Sequence, residues 1–326
     1  MVMKGNKLQK VAAITLAGLM MTMGMAGCGS SSTKETTAAT DAAGADTQAA
    51  ADAAEAAGGD AAAKVSGTVT AAGSSALQPL AQKAAEAFMA ENPDAVITVN
   101  GGGSGQGLKQ VSDGAVDIGN SDVPAEEKLD EAQAKELTDH AVCVTTMAAV
   151  VNKDLGVTNL TTDQLVDIFT AKVTNWKDVG GPDEPIMLVT RPSSSGTRAL
   201  FKEWALNGAE EASNESLETD DSGTLLQTVQ QNKGAIGYVA LSYLVNNSDV
   251  APVSIDGVEP TLENTYSGDY KVWGYEHMYT KGEGSEAAQA FINYMMGDAF
   301  GENIESMGYG ISSKMSDAAI KSHEAK

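Results

Sequence analysis

The sequence predicts an α/β fold in two domains, and three observations predict it. Short β-like runs alternate with stretches of helical periodicity. At 326 residues and 42% hydrophobic, the chain can bury a large core and divide into two domains. Three times, a strand-like run leads through a Ser/Gly loop into a helix.

Residues 65–70 read as the first strand, followed by the loop Ala71-Ala72-Gly73-Ser74-Ser75. A helix follows with Leu77, Leu80, Ala81, Ala84 and Phe88 on one face, ended by Asn92-Pro93. Residues 96–99 form the next strand, and a glycine-rich loop opens a short helix faced by Leu108 and Val111. Residues 116–119 are a short strand ending in Asn120-Ser121-Asp122. The run 142–151 is long enough to leave one domain and enter another. Helical periodicity returns at 162–170 (Leu165, Ile168, Phe169). A strand at 186–190 leads through Arg191-Pro192-Ser193 into a helix with Leu200, Phe201 and Trp204 facing inward. Leu225, Leu226 and Val229 mark another helix, 234–239 a buried strand and 270–279 a further one. The last helix expected is 285–297.

The first 64 residues read as address and tether. Lys4, Lys7 and Lys10 precede a 15-residue apolar stretch, Val11 to Met25, too short to span a bilayer comfortably. It ends Met25-Ala26-Gly27-Cys28, which resembles a bacterial lipobox. That resemblance implies a signal peptide over 1–27 and a diacylglyceryl group on Cys28; the alternative is an ordinary cleavage site with an incidental Cys. Residues 28–64 contain no aromatic and no branched aliphatic residue, so they read as a disordered tether. With Cys28 modified, Cys143 has no partner, which excludes a disulfide framework.

Formal charge is −23, with 21 Lys and Arg against 44 Asp and Glu. Three leader lysines and a tether of net −4 leave −22 on residues 65–326. This excludes nucleic acid and a basic membrane-surface domain. It also counts against drawing an anion from solution. No His/Cys pair has zinc-ligand spacing, and neither metal nor cofactor is expected.

The three loops lie at 73–76, 103–107 and 193–197. A helix N-terminus offers unpaired N–H groups and the positive end of a dipole, Gly admits close approach, and hydroxyls add donors. One such loop is an ordinary cap; three, with Arg191 heading the third, suggest an anion cradle. Leu108 stands where a P-loop needs Lys, and Gln106 breaks both the dinucleotide and the nucleophile-elbow patterns. Trp176 and Cys143 read as core.

Over residues 66–313 the chain resembles the PstS family, the substrate-binding proteins of phosphate ABC importers. The resemblance rests on Gly73-Ser74-Ser75-Ala76-Leu77-Gln78-Pro79, Gly103-Ser104-Gly105, Asp117-Ile118-Gly119-Asn120-Ser121-Asp122, and Arg191 with Ser195-Gly196-Thr197. The segments Asn175-Trp176-Lys177-Asp178-Val179-Gly180-Gly181 and Gly234-Ala235-Ile236-Gly237-Tyr238 are similarly typical. It implies a two-domain periplasmic-binding-protein-like (type II) fold closing on inorganic phosphate at a hinged cleft. The first domain would be discontinuous, 65–147 with 238–326, and the second 148–237, the chain crossing at 146–149 and returning at 237–245. Ser75, Ala76, Ser104, Ser195, Gly196 and Thr197 would donate hydroxyls and N–H groups. Arg191 would pair with phosphate oxygens, and Asp122 would accept the phosphate's proton. The family often has Asp two residues after the Arg; Ser193 stands here, which leaves the hold on Arg191 open. A monomeric lipoprotein follows, anchored through Cys28 on the extracytoplasmic face of the cell membrane, serving an ABC permease and ATPase and catalysing nothing. A binder of sulfate, molybdate or phosphonate is the nearer alternative. A secreted hydrolase using Ser104 or Ser195 is the more distant one.

Overall fold

The computed structural model describes residues 64–213 and 216–324, and the signal and all but the end of the tether lie outside them. Eleven strands are described: β1 Gly67–Gly73, β2 Ala95–Asn100, β3 Ile118–Ser121, β4 Leu137–Asn152, β5 Asn159–Leu160, β6 Met187–Thr190, β7 Ser216–Glu218, β8 Ala235–Ala240, β9 Val250–Pro252, β10 Ser254–Ile255 and β11 Trp273–Lys281. The described helices are α1 Gln78–Glu91, α2 Ser104–Ser112, α3 Glu131–Ala134, α4 Thr162–Phe169, α5 Gly196–Ala205, α6 Ser222–Gln231, α7 Leu262–Ser267, α8 Glu286–Met296, α9 Asp298–Ser306 and α10 Asp317–Glu324.

Strand β4 joins two halves of one mixed sheet of order β2-β1-β3-β11-β4-β8-β6-β7, with β9 also on β4. Its first part pairs antiparallel with β11, from Leu137↔Lys281 to Thr146↔Trp273. Its second part, Met147 to Val151, pairs with β8. The expected crossing at 146–149 coincides with this change of partner. The expected return at 237–245 does not coincide with one. Those residues are in β8 and just after it, and β8 pairs with the second part of β4. Val253, Ile255, Tyr270 and Val272 still bury into the core around Trp176 and Phe201. Pairing moves back to the first part of β4 only at Trp273.

Two cores flank this junction. In the first half Val69, Leu77, Leu80, Ala84 and Phe88 pack against Phe291 and Ile292 of α8. Phe88 meets Phe291 edge-on at 5.7 Å between ring centroids, as aromatic quadrupoles prefer. In the second half Phe169, Phe201 and Tyr238 form one aromatic cluster, the last two stacked at 4.2 Å. Cys143 is fully buried in the first core. The helix at 286–296 is not the last. Gly297 interrupts the pattern, α9 restarts beyond it, and α10 packs Ala319 and Ile320 beside Trp273.

Trp176 is fully buried in the second core, and its indole N–H donates to the Gly234 carbonyl at 2.9 Å. Trp176→Ala removes that packing and orphans an acceptor. The expected loss is about 3–5 kcal/mol in urea unfolding; a loss below 1 kcal/mol would place Trp176 outside the cooperative core.

Candidate functional site

The three loops meet on one carboxylate. Gly73 ends β1 at φ +135°, where a Cβ would lie 2.1 Å from the Asn120 carbonyl, so Gly is required for β1 and β3 to approach. The chain then turns through Ser74, Ser75 and Ala76 into α1. The Ser74 hydroxyl accepts the Leu77 N–H at 3.0 Å and donates to Asp122 Oδ1. Gly103, at φ +88°, opens α2, and Ser104 Oγ accepts the Asp122 N–H at 3.0 Å. Ser195 caps α5 by accepting the Arg198 N–H, and Thr197 Oγ1 donates to Asp122 Oδ2 at 2.6 Å. A Cβ on Gly196 would lie 2.3 Å from Ser104 Oγ, so only Gly lets α2 and α5 come this close. The openings of α1, α2 and α5, each the positive end of a helix dipole, thus meet at this one residue.

All eight sequence-predicted residues converge here. Ala76, Ser104, Asp122, Arg191, Ser195 and Thr197 are at most 2% exposed, Ser75 is 3%, and Gly196 is buried. Ser75, Ala76, Ser104 and Asp122 come from the first half of the sheet; Arg191, Ser195, Gly196 and Thr197 come from the second. The halves also touch directly. The Gly105 N–H donates to the Ser194 carbonyl at 3.0 Å, and Tyr243 donates its hydroxyl to the Ser75 carbonyl at 2.8 Å. Lys128 Nζ spans the seam to the carbonyls of Ser193 (3.0 Å) and Ser195 (3.2 Å). Burial holds that ammonium below the ordinary lysine range.

Arg191 is wholly buried at the end of β6. Nη1 donates to the Asp220 carbonyl (3.2 Å), and Nη2 to Ser222 Oγ (2.9 Å) and the Tyr238 carbonyl (3.2 Å). Its charge lies 3.8 Å from Asp220 Oδ1 and faces the Tyr238 ring. Asp220 thus supplies the carboxylate that Ser193 does not. Its carboxyl rises to about 6 through burial, against the pull of the Ser195 hydrogen bond and Arg191. Ser75 reaches across to the same loop, donating to the Asp220 carbonyl at 3.0 Å. Sequence reading missed Asp220, Ser222, Ser74 and Lys128. Of these, Ser222 carried a legible signal. Asp221-Ser222-Gly223-Thr224 opens α6 behind an Asp221 cap, a fourth loop of the same kind.

The chain belongs to the family that this fold and cleft define, that of the ABC phosphate-transporter substrate-binding proteins called PstS, within the PBP superfamily. The PBP superfamily domain matches residues 58–299. The phosphate-binding protein PstS of Bacillus subtilis is 51% identical over 239 residues, 73% of this chain and 78% of that protein. A Clostridium perfringens protein, described as a phosphate ABC transporter substrate-binding protein with bound phosphate, superposes at TM-score 0.69 and 32% identity. The alignment covers 75% of this chain and 99% of that one. An ABC-type phosphate transport receptor from Vibrio cholerae superposes at 0.59 with 26% identity, over 75% and 100% of the chains.

Behind Arg191, Arg198 donates to the Arg191 carbonyl at 2.5 Å and lies 3.7 Å from buried Glu211. Burial raises the Glu211 carboxyl to about 7, although Tyr238 and Arg198 pull it down. Between about pH 4.5 and 7 the folded chain therefore keeps a proton that the unfolded chain has released, so stability falls as pH rises. Removing the carboxylate by Glu211→Gln should raise stability relative to the native chain by about 2–3 kcal/mol more at pH 7.5 than at pH 4.5. Urea unfolding at the two values measures this, and an equal difference at both would refute it.

Proposed function

We propose that this chain binds inorganic phosphate between the two halves of its sheet and passes it to an ABC permease and ATPase. The observation that supports this most is the convergence of three helix openings, Arg191 and Asp122 in one buried place. Neutral N–H and hydroxyl donors can surround an oxyanion there, and Arg191 can contribute a fixed charge. Ser75, Ala76, Ser104, Ser195, Gly196 and Thr197 are its donors in this reading. Asp122 adds selectivity. Phosphate near neutral pH still carries a proton and sulfate carries none, so a carboxylate attracts the first and repels the second. Its two oxygens already accept from Ser74 and Thr197, but a carboxylate has about four acceptor positions and keeps room for a P–OH.

We place one lobe at 65–146 with 273–324 and the other at 147–272, hinged where β4 changes partners and where the chain re-enters β11. We assign no catalytic role. The Ser104 hydroxyl is taken up by the Asp122 N–H. The Ser195 hydroxyl is engaged by the Arg198 N–H and the Asp220 carboxylate. His277 pairs with Asp139 at 2.8 Å, and His323 is stacked between Trp204 and Trp273. The lipobox-like run ending at Cys28 supports a lipoprotein held on the extracytoplasmic face, which in this reading is a monomer. More than one acyl chain is needed for a stable anchor.

Calorimetry is expected to show phosphate bound about 100-fold or more tightly than sulfate. Asp122→Asn should erode that preference more than it erodes phosphate affinity. Absence of phosphate binding at millimolar ligand would overturn the assignment, and equal losses for both anions would overturn the role of Asp122. Cys28→Ser should release the protein into the medium. Retention in the membrane fraction would place the anchor elsewhere.

A further inference from the structure

Behind Asp122 lies a second carboxyl group that the phosphate reading does not use. Glu276 is on β11 and is fully buried. Antiparallel pairing sets His277 opposite Ser121 and Met278 opposite Asn120. One step further, the same register brings Glu276 opposite Asp122, on the same face of the sheet. On its other side Glu276 pairs with Cys143 of β4, next to the one-residue irregularity in that ladder. Neither of its carboxyl oxygens has a hydrogen-bond partner of good geometry among the described residues. The nearest polar groups are Asp122, Thr145 and Ser74.

Among the described residues no cation compensates this group. The ionisable groups facing it are Asp122 from the end of β3, Cys143 from β4 and Tyr309 from the segment after α9. Burial raises both the thiol and the phenol, so each stays neutral. The charged groups Lys128 and Asp220 act on Asp122 from the cleft side. Two ionised carboxylates side by side in this dry floor would cost several kcal/mol. Burial first, then the charge of Asp122, pushes the Glu276 carboxyl well above the ordinary range.

We propose that Glu276 keeps its proton beside Asp122, and that it is the positioning residue that keeps Asp122 an acceptor toward phosphate. While Glu276 holds the proton, both Asp122 oxygens stay available to hydroxyl donors. When base removes that proton, a second negative charge appears beneath the anion, and affinity falls. This rests on the phosphate reading above. The proton is exchanged with solvent, and no covalent step is involved.

The test compares the full chain with Glu276→Gln, which keeps the shape and stays neutral at every pH. Phosphate affinity at pH 7 should agree within about threefold. As pH is raised above 7 the native chain should lose about tenfold more affinity than the variant once Glu276 ionises, beyond the loss both share from the titration of phosphate itself. Infrared spectroscopy at pH 7 should show in the native chain, beside the Glu211 carboxyl band that both proteins share, a further protonated buried carboxyl band that is missing from the variant. Parallel affinity profiles, or no such band at pH 7, would overturn the pair. If Glu276→Gln fails to fold, the same infrared measurement on Glu211→Gln, which removes the other carboxyl protonated near pH 7, decides the matter. If neither protein binds phosphate while the band is present, the ligand assignment fails and the carboxyl pair stands.

Discussion

Asp122 is the acceptor on which the cleft is built. Its oxygens take hydroxyl hydrogen bonds from Ser74, at the opening of α1, and from Thr197, in the first turn of α5. Its own N–H donates to Ser104, the first residue of α2. One residue 2% exposed therefore ties together three helix openings drawn from both halves of the sheet. A carboxylate removed from water costs several kcal/mol unless donors replace its hydration. Here the donors are the hydroxyls that cap or open the helices, and the dipole ends of those helices favour the same negative charge. The close approach of Gly73 to β3 and of Gly196 to Ser104 is what makes the convergence sterically possible.

The same geometry reconciles a −22 folded part with a small anion as ligand. Net charge argues against polyanions, because their binding depends on a long-range basic surface. It says little about a site closed to water. The acidic exterior is screened over about 8 Å at physiological ionic strength, whereas the donors of the cleft act at hydrogen-bond distance. Many surface acids are also locally paired, as in Lys109–Asp113 and Lys314–Glu305, which blunts their field without adding much stability.

Local order was legible wherever neighbours in sequence decide it. The face Leu77, Leu80, Ala81, Ala84 and Phe88 reads directly as α1, and strand–loop–helix order marked the loops that hold the cleft's donors, whereas Asp122 was reached only through the family resemblance. What escaped depends on distant pairing. Residues 237–245 looked like a return because a buried strand ended there, yet β8 is held by Met147–Val151. The true change of partner at Trp273 is set by a strand more than a hundred residues earlier. α9 and α10 escaped because Gly301 and a polar-rich last helix weaken their periodicity. Asp220 escaped because its function exists only through its distance to Arg191, 29 positions away.

Arg191 shows how a guanidinium can be held from a distant loop and not from its own. An Asp two positions on would hold the guanidinium from its own loop; with Ser193 there, the hold comes from the opening of α6. Asp220 provides a carbonyl at 3.2 Å and a carboxylate at 3.8 Å, and Ser222 adds a hydroxyl. Because Ser75 donates to the same Asp220 carbonyl, the group that orients Arg191 also touches the opposite wall of the cleft. The arrangement concentrates carboxyls in a dry interior, and both Asp220 and Glu211 are displaced upward by their burial. Two raised carboxyls lower stability at neutral pH, the expected direction when buried polar groups are kept for a site and not for the fold. The orientation of one arginine and the coupling of both walls to it are what that loss of stability sustains.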